Sequence, residues 1–507
     1  MSTARGISLS AACAIAIVSA TLATTGLTPG AISSAAAGLP AGLADAPPAL
    51  DWQPCTSESL DGFDCATLER PLDRTRPGGA KVQLAVVRLP ATGTPEQRIG
   101  SLFMNPGGPG GSGLQVAKIG YLLPAEVRQA FDFVTWDPRG IGSSRPAITG
   151  CGAPMPVRPA TGKVKWQRVL DQRIRELGQV NRDCYRDNRD IIEHAGTLDG
   201  AYDLDALRAA VGDEKLTYWG ISYGTMLGST YAQLFPSKVR ALVFDGNMNP
   251  QTTFSALSSG SSAPDHSIRF FLDVAPPLRT QLTSVLRELD KRTLALPDGT
   301  RYTRWDLLDV VAGSVPFLEA WPAAEAAIEA SYIALFGSGP EQQEALQGLT
   351  NPALQSPATD SNAGVFSAIL CQDFADRMTR DAMRGPLNWS VREAPLYGGS
   401  LAVDYLASCS GYGAATPDPV PRPRRYGPNV PGLITNGTHD GATPYQWAVN
   451  MSRVYRGMRM VTIASGSHGV FVLAESPCVD GIVSDYLVSG AVPPIDQACP
   501  FSPPAPT

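Results

Sequence analysis

Gly220-Ile221-Ser222-Tyr223-Gly224 stands between a short apolar run, Leu216-Thr217-Tyr218-Trp219, and a helical stretch from Thr225 to Phe235. A G-x-S-x-G pattern in that setting predicts a nucleophile elbow, a sharp strand-to-helix turn that projects the serine hydroxyl from the edge of a sheet. The glycines have a mechanical role, because Cβ atoms at Gly220 and Gly224 would crowd the turn. The helix that starts behind Ser222 aims its amide end at the reacting carbonyl. Five residues of this kind recur by chance in a chain with 50 glycines, so the surroundings have to decide.

Outward from the elbow, β-rich apolar segments alternate with helical patterns between about residue 82 and residue 245. The strand candidates are residues 82–87, 101–104, 131–136, 216–219 and 241–244. Between them Leu204, Leu207 and Val211 recur at helical spacing and Gly212 closes that helix. The rhythm predicts an α/β fold with a mostly parallel central sheet. From about Asn249 to Arg425 the pattern turns helical, as in residues 268–294 and 305–336, and it ends in Pro417-Asp418-Pro419-Val420-Pro421-Arg422-Pro423. An inserted helical cap subdomain with a linker is expected there. Strand-like residues 432–436 and 460–463, with a helix from about Pro444 between them, then restore the βα rhythm. The expected organisation is therefore a core over 50–248, an insertion over 249–425 and the rest of the core over 426–500.

A neutral serine is a poor nucleophile at pH 7 and needs a base within hydrogen-bond reach, itself oriented by a carboxylate. The chain has four histidines, and the α/β-hydrolase order Ser, then Asp or Glu, then His selects one near the C-terminus. His194 and His266 come too early. His439 adjoins Asp440 just past a strand, a poor position from which to point the same way, whereas His468 lies in the loop Ser465-Gly466-Ser467-His468-Gly469 after the next strand. Ser222, Asp440 and His468 are the expected triad. The oxyanion needs donors, and Asn105-Pro106-Gly107-Gly108-Pro109-Gly110-Gly111 follows a strand where such a loop belongs. Gly107 or Gly108 could offer one backbone N–H and Tyr223 the other. A phosphate-cradling role for this loop is disfavoured, since neither G-K-[ST] nor GxGxxG is present. Asp137 and Arg139, in Trp136-Asp137-Pro138-Arg139-Gly140, are expected to brace the surrounding loops.

Lys plus Arg (41) against Asp plus Glu (47) leaves a net charge of −6, no footprint for nucleic acid or anionic lipid. Residues 1–37, with Arg5 ahead of an uncharged stretch and Ala35-Ala36-Ala37 behind it, are expected to form a cleaved signal peptide, and no later run is long and apolar enough to span a membrane. A secreted protein without stable membrane association is expected. Cys13 leaves with the signal, and an even set of cysteines remains that falls into neighbouring couples: Cys55 with Cys65, Cys151 with Cys184, Cys371 with Cys409, and Cys478 with Cys499. These are the expected disulfides. None forms a CxxC pair, so no metal is expected, and no cofactor is called for.

Together with these motifs, Trp52, Tyr218 to Thr225 with Leu227-Gly228, Leu234-Phe235-Pro236, Asp245-Gly246, Cys371-Gln372-Asp373 and Thr443-Pro444 make the chain resemble the secreted tripeptidyl aminopeptidases, relatives of the proline iminopeptidases within the α/β-hydrolase fold. The resemblance spans most of residues 52–499. It implies Ser222, Asp440 and His468 as triad, a helical cap over the active site, and release of short peptides from free N-termini. Asn247-Met248-Asn249 and His439 depart from the family's usual residues without touching the triad. An enzyme that counts residues from an N-terminus must hold the peptide ammonium at a fixed distance, and Asp373 is the expected clamp. Two other readings share these motifs: a secreted carboxylesterase or lipase with the same triad, and a non-catalytic binding protein on a hydrolase scaffold.

Overall fold

The apolar runs around the elbow form the middle of a ten-stranded sheet in the computed structural model, which describes residues 48–503 other than 356–358, 361–362, 375, 413–419 and 424–426. The expected signal segment 1–37, with Cys13, lies outside the described residues, as does Pro417-Asp418-Pro419. The strands are β1 (Gln53–Pro54), β2 (Asp64–Pro71), β3 (Lys81–Leu89), β4 (Gly100–Asn105), β5 (Phe131–Trp136), β6 (Leu216–Ile221), β7 (Val239–Asp245), β8 (Gly432–Gly437), β9 (Met458–Ile463) and β10 (Gln497–Cys499). Their spatial order is β1-β2-β3-β5-β4-β6-β7-β8-β9-β10. Pairing is antiparallel from β1 to β5 and parallel from β5 to β10.

Strands β4, β5, β6 and β8 are buried at every position, as expected of parallel strands covered on both faces. Successive residues feed opposite cores: Phe103 and Tyr218 pack on one side, Leu102, Met104 and Trp219 on the other. Two strands at the N-terminal edge, β1 and β2, precede the expected first strand, and β10 follows the expected last one.

The helices that bear on the site are α1 (Trp166–Ile192), α2 (Thr197–Ala210), α3 (Tyr223–Leu234), α4 (Ala263–Val274), α5 (Pro276–Leu289), α6 (Arg304–Ser314), α7 (Trp321–Phe336), α8 (Ala363–Asp373), α9 (Arg384–Glu393), α10 (Gly398–Ala407), α11 (Tyr445–Val454) and α12 (Pro477–Ser489). Helices α4 to α10 all fall between β7 and β8. Those from α4 to α7 close on their own apolar core, in which Phe271, Leu282, Val285, Leu308, Val311 and Ile328 are buried. Helix α6 starts where it does because Thr303 and Asp306 form a capping box. The helical layer also draws on a segment ahead of residue 249: Val169, Leu170 and Leu177 of α1 pack against Leu387, Val403 and Leu406 of α9 and α10. Sequence order hides this partnership, since α1 has the same amphipathic pattern as a helix covering the sheet.

Four disulfides join Cys55 to Cys65, Cys151 to Cys184, Cys371 to Cys409, and Cys478 to Cys499. The first closes the β1–β2 hairpin and the last ties α12 to β10. The Cys371 bridge fixes α8 to the end of α10. Among the described residues no helix is long and apolar enough to cross a membrane.

Candidate active site

Ser222 sits between β6 and α3 with φ 59° and ψ −123°, a left-handed conformation that costs a non-glycine residue about 1–2 kcal/mol. The strain is held by its neighbours. The Ser222 N–H donates to the carbonyl of Asp245 (2.8 Å), and the Ser222 carbonyl accepts from the Thr225 N–H (2.9 Å) and hydroxyl (2.7 Å). The turn is therefore anchored on both sides of the residue it presents.

Asp440 follows β8 and His468 follows β9, adjacent parallel strands whose loops leave the same end of the sheet. His468 Nδ1 lies 3.0 and 3.1 Å from the two Asp440 carboxylate oxygens. That carboxylate also accepts from the Ala442 and Thr443 N–H groups (2.8 Å each) and from the Thr443 hydroxyl (3.0 Å). Asp440 thus shapes its own turn with the same oxygens that orient the imidazole, and it is buried. Burial disfavours charge on His468, but the Asp440 carboxylate outweighs it and, with Asp245, holds the imidazole above its ordinary value. His439 is exposed instead, its ring stacked on Phe270 at 4.8 Å.

Asp245 was not singled out for a role by sequence reasoning, yet it joins the elbow to the histidine loop. Its carbonyl receives the Ser222 N–H, while its buried carboxylate accepts from the Val470 N–H (2.9 Å), the Phe471 N–H (3.1 Å) and the Thr435 hydroxyl (2.7 Å). Burial pushes its carboxyl up to about 6 despite those bonds. Gly246, at φ 59°, lies beneath the imidazole: a Cβ there would be 3.0 Å from His468 Nδ1. The signal that could have found the pair is position, since Asp245-Gly246 ends the strand between the serine strand and the acid strand.

The glycine-rich loop after β4 lies against the elbow. Gly107 has φ 92°, and a Cβ on it would fall 2.5 Å from the Ile221 carbonyl oxygen and 2.8 Å from the Tyr223 nitrogen. Only glycine can come so close. Its own N–H is spent on the Asn105 side chain (3.1 Å). The Gly108 N–H has no acceptor among the described residues, and the Tyr223 N–H, first in α3, has no intrahelical one. A small cleft of about 40 Å³ opens here, lined among others by Gly107, Gly110, Thr197, Tyr223, Leu227 and Ile369.

Asp137 binds this loop to the next: it accepts from the Ser112 hydroxyl, the Leu114 N–H (3.2 Å) and the Ser143 N–H (2.7 Å). Arg139 is buried and paired with both oxygens of Asp203 (2.7 and 2.6 Å). Asp373, at the end of α8, is 1% exposed and is not part of the cleft wall. Its two oxygens take the Thr197 N–H (2.7 Å) and meet the Thr197 hydroxyl (2.9 Å), which in turn contacts the Tyr223 hydroxyl. A clamp for an ammonium needs an accessible carboxylate, and this one reaches the cleft only through Thr197 and Tyr223.

The arrangement can perform acyl transfer: a strained serine, an imidazole fixed by a carboxylate, and two unspent amides beside the serine. Residues 100–322 match the α/β hydrolase fold family and residues 394–499 match the TAP-like proteins. The serine protease Hip1 of Mycobacterium tuberculosis is 30% identical over 480 residues, covering 89% of this chain and 91% of Hip1. The chain belongs to the TAP-like α/β hydrolases. Within the family, the tripeptidyl aminopeptidase of Streptomyces lividans is 30% identical over 495 residues, covering 90% and 88% of the two chains. Carboxylesterase B of Mycobacterium tuberculosis is 29% identical over 516 residues, covering 93% and 94%.

Proposed function

We propose that this TAP-like hydrolase is a secreted serine exopeptidase that releases short peptides, tripeptides foremost, from free N-termini through an acyl-enzyme on Ser222. The observation that carries the reading is the Asp440–His468 pair standing in the loops beside a strained elbow serine. His468 Nε2 takes the hydroxyl proton as Ser222 Oγ attacks the scissile carbonyl, and Asp440 stabilises the imidazolium. The Gly108 and Tyr223 N–H groups receive the oxyanion. Collapse breaks the C–N bond, and the departing amine leaves with the proton from His468. Water then attacks the acyl-enzyme by the same route and frees the peptide acid and Ser222.

The names of the Hip1 and tripeptidyl aminopeptidase relatives support a peptide substrate, and the four disulfides support an oxidising destination. A second reading, carboxylester hydrolysis on the same triad, is favoured by the carboxylesterase B relative. The test is a matched pair, a tripeptide anilide with a free N-terminus and its acetylated twin, given to the protein and to Ser222→Ala. Cleavage of the free form alone, lost in Ser222→Ala, is expected. Equal cleavage of both forms, or a preference for short acyl esters over both, would replace the aminopeptidase with an endopeptidase or an esterase.

A further inference from the structure

Pro316-Phe317, between α6 and α7, bring the helical insertion directly against His468. The His468 N–H donates to the Pro316 carbonyl (2.7 Å), and Pro316 packs against Gly441, where a Cβ would be 2.7 Å from its ring. On either side Val315 and Leu318 are buried in the cap's core. The segment is thus fixed at three points, and Phe317 is the residue left over. Its side chain is 40% exposed and stands edge-on to the His468 imidazole, ring centres 6.4 Å apart at 75°. Isolated exposed apolar side chains are ordinary on any surface. This one is held against the imidazole by its own backbone.

Acylation assigns a location to the ring. The imidazole that takes the Ser222 proton delivers it to the departing nitrogen, so the first residue of the leaving group has to lie beside His468 Nε2. The acyl portion then lies on the oxyanion side of the serine, where Gly107 and Tyr223 stand against Ser222. Asp440 and Thr443 occupy the Nδ1 side and Gly246 the underside. Phe317, edge-on to the ring and exposed, is the side chain left to meet the leaving group.

We propose that Phe317 is a specificity-determining residue of the leaving-group site, favouring a bulky apolar or aromatic residue immediately after the scissile bond. This rests on the Ser222–His468 reading above. The test uses Ala-Ala-Ala-Phe-NH2 and Ala-Ala-Ala-Gly-NH2, both with free N-termini, against the protein, Phe317→Ala and Phe317→Leu. The protein is expected to cleave before Phe with kcat/KM roughly tenfold above cleavage before Gly. Phe317→Ala is expected to erase that ratio while holding the Gly peptide within about twofold, and Phe317→Leu to keep part of it. No preference in the protein, or an equal loss on both peptides in Phe317→Ala, overturns the assignment. Phenyl acetate and ethyl acetate put the same question without a peptide bond. If neither peptide is cut, the aminopeptidase reading falls alone, and Phe317→Ala must still lower the phenyl-to-ethyl ratio for the assignment to stand.

Discussion

Replacing Asp373 by Asn is expected to stabilise the protein at neutral pH. The carboxyl is buried, and burial outweighs the hydrogen bonds from Thr197 and the attraction of Arg422, pushing it up to about 7 from an ordinary 3.8. The folded protein therefore keeps a proton that the unfolded chain releases. The stabilisation is fully present below the unfolded value and is lost as pH rises through the folded one. A shift of roughly three units at about 1.4 kcal/mol each sets the loss at about 4 kcal/mol between pH 4 and 8. Asn reproduces the neutral acid: its Nδ2 donates to the Thr197 hydroxyl and its Oδ1 accepts the Thr197 N–H. Urea unfolding with disulfides intact, at pH 4, 6 and 8, is the assay. Asp373→Asn and the parent are expected to agree at pH 4, with the variant ahead by about 2–4 kcal/mol at pH 8. A variant weakened equally at every pH would refute the reasoning. A raised KM for free-N-terminus tripeptide anilide with acetylated substrate unaffected would return Asp373 to the role of amine clamp.

Gly107→Ala forces a side chain into the elbow at φ 92°, and is expected to lower kcat by roughly 10²–10³ by moving the loop off the oxyanion, and to lower Tm as well; steady-state anilide hydrolysis and a thermal melt check both. Asp440→Asn removes the anion that holds His468 in place and above its ordinary value. It is expected to cost about 10⁴ in kcat and to move the acidic limb of the kcat/KM profile to lower pH, measured from pH 4 to 9. Gly246→Ala places a Cβ 3.0 Å from His468 Nδ1, so fluorophosphonate labelling of Ser222 is expected to slow while the fold survives; unchanged labelling would mean that the ring does not rest on Gly246.

The sheet was legible where periodicity is strong. The expected segments 131–136 and 216–219 lie within β5 and β6, and the buried central strands read as largely apolar runs because both faces are covered. The edge strands were not legible. β2 is partly or fully exposed all along Asp64 to Thr67 and ends in Pro71, and β10 is three residues long, so neither gives a clear period to read. Ser222 is read from the G-x-S-x-G motif and Asp440 and His468 from chain order and loop position, and the fold brings the latter two within 3.1 Å of each other. Asp245 is not legible, because an acid at a strand end reads as an ordinary solvated residue. Its significance lies in contacts more than two hundred residues away, where the Val470 and Phe471 amides close on it. Phe317 escapes for the same reason, being one aromatic among many in a helical stretch until His468 is folded against it.

Hip1, the tripeptidyl aminopeptidase and carboxylesterase B resemble the chain to nearly the same degree over nearly the same length, so overall likeness does not divide amide from ester chemistry. The chemical difference is at the leaving group. An alkoxide departs with little help, whereas an amine has to receive a proton from His468 as the C–N bond breaks. The groups that fix the imidazole toward that nitrogen are therefore where a peptidase is made. Asp440 and Gly246 come from the core, but the carbonyl that accepts the His468 backbone N–H comes from Pro316 of the insertion. The insertion thus takes part in holding the His468 backbone where the imidazole has to work.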